Sequence, residues 1–359
     1  MIFNGIRSSS RPLCPAFSSK EELMENKQKL IALATENKYG AIPKKPEHMS
    51  AAVISEDTRY AGGKIKRRDV IITIYEGARS FSFPLTSFIP NNSENIPAFI
   101  YIGYERGHAD KYLPCEEICD NGFALFSFCF KDIASEDGNF RELLPSFLAI
   151  NRRSSSATGK LMLWAYAAGV VMDYVETLGS IDKENIAVIG HAKLGKAALI
   201  AGAIDERFKY TVANDSGFYG IAEPTEKSEV SLLDEVNAFP YLFAPRYARL
   251  ARKSQMADFN PEYLFALIPP RHLLIGSAES DLKSDYESEF LGASSISDIY
   301  GLYGISGLVC EEKIPKPPAL FDRGNICYHL REGDSYLTRQ DWQIYMSYIK
   351  KLMGDKNDL

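Results

Sequence analysis

The hydrophobic and polar positions of the chain change texture twice. Near the start, Ser18-Ser19-Lys20-Glu21 has the spacing of a capping box, and Leu23, Leu30, Ile31 and Leu33 follow at helical intervals. Lys38-Tyr39-Gly40 ends that helix ahead of Pro43 and Pro46. Val70–Glu76 and Phe81–Phe88 are then rich in β-branched and aromatic residues. Gly77-Ala78-Arg79 parts them, which predicts an antiparallel hairpin. Ala98–Gly103 and Phe123–Phe130 are short, nearly continuous apolar runs, as strands buried on both faces require.

Beyond a polar stretch at Lys131–Ser156 the alternation becomes regular. Leu161–Leu178 predicts a long helix with Trp164, Ala168, Val171, Met172 and Val175 on one face. Ile186–Ile189 predicts a strand, Leu194–Ile204 a helix and Tyr210–Ala213 a strand. His272–Ile275 and Ile299–Tyr303 predict later strands with a helix at Ser284–Leu291 between them, and Arg339–Met353 a closing helix. Strands that alternate with helices wind into a mostly parallel sheet through right-handed crossovers. Without an internal repeat or linker, the expectation is one α/β domain over 1–359. Residues 1–60 form an N-terminal helix and extension, and 61–359 the core.

Composition narrows the function classes. The 359 residues include 41 Lys+Arg against 47 Asp+Glu, a formal charge of −6, which argues against a nucleic-acid partner because polyanions recruit clustered cations. Met1–Phe17 holds no apolar run fit for a signal peptide, and no stretch approaches the roughly 18 apolar residues of a membrane span. Cytoplasmic location is expected, with a processed secreted form as the alternative. Cys14, Cys115, Cys119, Cys129, Cys310 and Cys327 lack the paired spacing of a zinc site, so free thiols and no metal are expected. Only five histidines are available for acid–base work.

The informative segment is Ile186–Phe208. A buried strand runs into Gly190-His191-Ala192-Lys193-Leu194-Gly195-Lys196 and straight on into an alanine-rich helix. That is the layout of a nucleophile elbow, in which small residues flank a side chain held at a helix N-terminus beside free N–H groups. The central residue is Ala192, which has no nucleophilic atom. An ordinary strand–turn–helix is the bland alternative.

Neighbouring stretches decide between them. Gly190–Lys196 with Ala201–Phe208 resembles carbohydrate esterase family 15, the glucuronoyl esterases. The resemblance continues through Gly122–Asp132, Trp164–Glu176, Val212–Gly217, Phe239-Pro240, Phe265–Arg271, Ser277–Phe290 and Tyr328–Trp342. It implies an α/β-hydrolase fold without a cofactor, acting on esters of glucuronic acid. Carried over residue by residue, the nucleophilic serine falls on Ala192 and the oxyanion-side arginine on Lys193. The lysine that contacts sugar hydroxyls is Lys196. The triad acid falls on either Asp215 or Asp281, a tryptophan lining the uronate site falls on Lys283, and the catalytic histidine falls on Ser335.

Loss of nucleophile and histidine together makes Ser–His–Asp hydrolysis improbable. Lys193, Lys196 and Lys283 are expected to converge with Asp215 and Asp281, where they either satisfy one another or bind an acidic sugar. The alternatives are a relocated base, an engineered removal of the nucleophile from an esterase, and a non-enzymatic interaction protein. Candidate bases are His329, read as part of the Ser335 loop, and His108, in a loop after a buried strand. His191, His272 and His48 read as structural. Ser216 and Ser277 follow strands without elbow geometry.

Overall fold

The computed structural model describes residues 17–354 apart from 92, 219, 222–231, 253–260, 282 and 312–313. Its spine is a ten-stranded sheet: β1 (His48–Arg59), β2 (Ile65–Glu76), β3 (Arg79–Pro90), β4 (Ile96–Gly103), β5 (Ala124–Cys129), β6 (Ile181–His191), β7 (Tyr210–Asn214), β8 (His272–Ala278), β9 (Ala319–Phe321) and β10 (Ile326–Arg331). The spatial order is β1-β2-β3-β5-β4-β6-β7-β8-β10-β9. From β5 to β10 every neighbouring pair is parallel, while β1, β2 and β3 form an antiparallel ribbon that joins the rest through β5.

Period-two alternation sorts the central side chains onto two faces. In β4, Ile96, Ala98, Ile100 and Ile102 face one core, and Phe99 and Tyr101 face the other. In β6, Ile186 and Val188 oppose Ala187 and Ile189 in the same way. The first face is covered by α1 (Lys20–Ala34), α2 (Lys160–Val175), α3 (Lys193–Ile204) and α4 (Tyr286–Gly301). The second is covered by the short helix Cys115–Asp120 and by α5 (Arg339–Gly354), which contributes Trp342, Tyr345, Met346 and Ile349. The layered α/β architecture expected from the sequence is present.

Several local expectations need correction. The cap of α1 lies one residue later than the spacing suggested. Ser19 accepts from the Glu22 N–H at 3.2 Å, and Glu22 reaches back to the Ser18 N–H at 2.7 Å. Ile299–Tyr303 is not a strand. Ile299 and Tyr300 complete the buried face of α4 with Phe290, Ala293 and Ile296, and the apolar triplet continues a helical period. Three strands escaped the sequence reading. β1 has no apolar alternation because it is largely exposed along its length, β9 is only three residues long, and β10 lies inside a charged motif. The hairpin turned by Gly77 is as expected, with φ of 56° there.

Cys115, Cys119, Cys129 and Cys327 are buried thiols; Cys14 lies outside the described residues. Among the described residues no group of acidic, histidine or cysteine side chains is arranged to hold a metal ion, and no helix is long and apolar enough to cross a membrane.

Candidate functional site

The turn between β6 and α3 has the strained geometry of an elbow. Ala192 has φ 52° and ψ −123°, a conformation that L side chains adopt at a cost of about 1–3 kcal/mol and that clusters at functional turns. The flanking glycines make the turn sterically possible. A Cβ on Gly190 would lie 2.1 Å from the Leu194 carbonyl oxygen, and one on Gly195 would press on Gly190, Ser216 and Asn214. The Ala192 N–H donates to the Asn214 carbonyl at 2.9 Å, so the elbow lies against the end of β7. The backbone therefore has elbow geometry, and a methyl group stands at its centre, the position to which the resemblance assigns the nucleophile.

Asp215 follows β7 immediately and is buried. Its Oδ2 accepts from the Tyr336 N–H at 3.1 Å, Ser335 Oγ at 3.4 Å and Arg331 Nη2 at 3.4 Å. Its Oδ1 has no hydrogen-bond partner among the described residues, and burial, reinforced by the nearby Glu289, pushes its pKa well above the usual carboxylate range. The position that the resemblance gives to the catalytic histidine therefore contacts the position it gives to the acid. Asp281 does not make that contact. Its carboxylate is spent on its own turn, accepting from Ser284 Oγ at 2.6 Å and the Lys283 N–H at 3.1 Å.

Beneath Asp215 lies a buried polar chain. Arg331 bridges Asp215 and Asp341, donating Nε to Asp341 Oδ2 at 3.3 Å, and His329 Nε2 lies 2.6 Å from Asp341 Oδ1. Burial opposes ionisation of Asp341, but the hydrogen bond and charge of His329, with Arg331, hold its carboxyl below the usual range. His329 is a residue of β10, not of the Ser335 loop in which the sequence reading placed it, so its backbone is fixed by the sheet. His191 packs under the elbow with Nδ1 2.7 Å from Asn214 Oδ1, and burial pulls its pKa down to about 4. It is a neutral structural ring at neutral pH.

A second buried acid escaped the sequence reading. Glu289 of α4 accepts from Ser277 Oγ at 2.6 Å, the Gly217 N–H at 2.7 Å and Ser216 Oγ at 3.1 Å, tying the ends of β7 and β8 to the helix. Burial drives its pKa up to about 7 against those three donors. Ser216 and Ser277 are thus committed hydroxyls rather than free nucleophiles.

The lysines do not converge on the aspartates. Lys193 turns to the loop after β5, where it pairs with Glu136 and lies over the rings of Tyr104 (5.2 Å) and Phe130 (4.8 Å). Lys196 donates to the Ser216 carbonyl at 2.8 Å and lies 3.7 Å from Glu235. Lys283 is exposed on the turn beside Asp281. Asp215 instead takes its cation from Arg331, because a planar fork reaches two carboxylates that a single ammonium does not. His108 is exposed on the short helix Gly107–Ala109 and has no contact to the elbow among the described residues. The same loop contributes Tyr104, whose hydroxyl donates to the His191 carbonyl at 3.1 Å, and Tyr112, whose ring lies tilted between those of His191 and Tyr336 at centroid distances of 4.8 and 4.6 Å. No periodicity marks Glu136, Tyr104, Tyr112 or Glu289; Arg331 and Asp341 sit within the motif from Tyr328 to Trp342 and were the legible part.

A family model described as "Glucuronyl esterase, fungi" matches residues 72–304. The chain belongs to the glucuronoyl esterase family. A carbohydrate esterase from an unknown prokaryotic organism is 36% identical over 190 residues, covering 53% of this chain and 44% of that protein. A 4-O-methyl-glucuronoyl methylesterase of Phanerochaete chrysosporium is 25% identical over 268 residues, covering 71% of this chain and 53% of its own. The chain spans about half the length of these curated relatives. Among solved structures, a promiscuous carbohydrate esterase family 15 enzyme from a marine bacterial metagenome superposes with a TM-score of 0.84 at 24% identity, covering 94% of this chain and 95% of that one. The fold is the α/β-hydrolase fold of this glucuronoyl esterase family.

Proposed function

We propose that this chain is a glucuronoyl-esterase-like protein that binds an acidic, uronate-type carbohydrate without hydrolysing its esters. One observation carries the reading: a strained elbow presents Ala192, and Ser335 stands against Asp215 where a base is needed. Acyl transfer needs a nucleophile and a base within hydrogen-bond reach, and neither position supplies one. His329 and His191 are buried and spent on Asp341 and Asn214, which supports inert rather than relocated chemistry. The acidic-sugar class is supported by the relatives: a serine-to-alanine variant of a Sporotrichum thermophile glucuronoyl esterase is described in complex with methyl 4-O-methyl-β-D-glucopyranuronate. A methyl group at the nucleophile position is therefore compatible with ligand binding in this architecture.

The test is restoration. The wild type is expected to release no methanol from methyl glucuronate above the uncatalysed rate. Ala192→Ser together with Ser335→His is expected to raise that rate at least about 100-fold, while each single change leaves it near background, because triad members act as a unit. Wild-type turnover that disappears on changing Lys193 or Lys196 would sink the proposal.

A further inference from the structure

Lys193, next to the elbow centre, is held in a box made by the chain itself. The rings of Tyr104 and Phe130 flank its ammonium, and the carboxylate of Glu136 closes the third side. The Lys193 side chain is only 20% exposed, whereas that of Glu136 is 37% exposed, so Glu136 is the outward, replaceable partner. The backbone beneath Glu136 is fixed on both sides by one buried cation. Lys160 Nζ donates to the carbonyls of Ser135 (2.5 Å) and Asp137 (2.6 Å) and lies 3.2 Å from Ser135 Oγ and Asp137 Oδ1. Only a side-chain rotation of Glu136, not an opening of the loop, is needed to uncover the Lys193 ammonium.

We infer that Glu136 is an internal competitor for the ligand, its carboxylate occupying on Lys193 the place that the carboxylate of an acidic sugar takes. This rests on the carbohydrate-binding reading above and deepens it by naming the residue that sets affinity for the acid. Burial, with a smaller push from Lys131 and Lys196, disfavours the Lys193 charge and Glu136 counters it, so removing Glu136 leaves a desolvated site in search of an anion. A partly exposed pair of this kind is displaceable at modest cost.

The experiment is calorimetric titration of the full chain with D-glucuronate and, as the uncharged match, D-glucose. Glu136→Gln is expected to bind glucuronate at least about tenfold more tightly than wild type, with no change for glucose. Lys193→Met is expected to abolish the gain in the Glu136→Gln background. Equal glucuronate affinity in wild type and Glu136→Gln, or an equal gain for glucose, overturns the inference and leaves the carbohydrate-binding reading standing. Glucuronate binding by neither protein, both folded by thermal melting, overturns that reading and this inference with it. Glu136→Ala repeats the comparison should the glutamine re-form a contact with Lys193.

Discussion

The elbow and the charged chain beneath it are neighbours held in place by different means. At the elbow the backbone carries the geometry and the side chain carries no reactive group: Ala192 has a strained positive φ, and the glycines keep the turn closed. Below it the side chains carry the structure, with Asp215, Arg331, Asp341 and His329 linked in one buried run. The difference follows burial. Ala192 and Ser335 are partly exposed, so the side chain at either position can change without stranding a buried charge. Removing one member of the buried chain strands a charge in low dielectric. Folding thus preserves the support of the site regardless of whether the site reacts.

The sharpest way to break this contrast is Arg331→Met. It removes the cation between two buried carboxylates and is expected to cost about 3–5 kcal/mol in urea unfolding. A loss below about 1 kcal/mol would mean that the buried chain is not a structural requirement. Glu289→Gln probes the second buried acid through pH. The folded pKa of about 7 lies above the ordinary 4.5, so the native state holds the extra proton between those values. Wild-type stability from this group is therefore full below about pH 4.5 and falls as pH rises toward 7. The amide keeps the three contacts without titrating, so the variant is expected to gain about 2–3 kcal/mol over wild type between pH 4.5 and pH 8. Parallel stability–pH curves for the two proteins would refute it. His191, with its lowered pKa, contributes the opposite slope over about pH 4 to 6.5 and is common to both proteins.

The smallest expected effect lies at the elbow. Ala192→Gly relieves the strain of a positive φ while adding unfolded-state entropy, for a net gain of about 1 kcal/mol visible as a higher Tm. A loss of stability would show that the turn is not strained.

Much of this protein was legible before folding was considered. The parallel strands announced themselves as apolar runs because both faces of each are buried, and β6, the elbow and α3 read as one unit because their order is local. Exposed β1 did not, since it has no apolar period, and neither did β10, whose short apolar stretch runs into the polar motif that begins at Tyr328. At the site, the local motifs left the acid open between Asp215 and Asp281, and Ser335 contacts Asp215, whereas the lysines expected to converge on the aspartates point elsewhere. Charge partners depend on which loops the crossovers bring together, and Glu136 lies 57 residues from Lys193 while Arg331 lies 116 from Asp215.

By itself the sequence determined the family, most of the sheet, and that alanine stands at the centre of the Gly190–Lys196 turn and serine at position 335. These are properties of side-chain identity and short-range period. Only the tertiary structure decided that Asp215 rather than Asp281 faces Ser335, that His329 is fixed in a strand, and that Lys193 is already held by the chain's own carboxylate. Those facts are set by long-range packing and by the cost of burying unpaired charge, which no local pattern records.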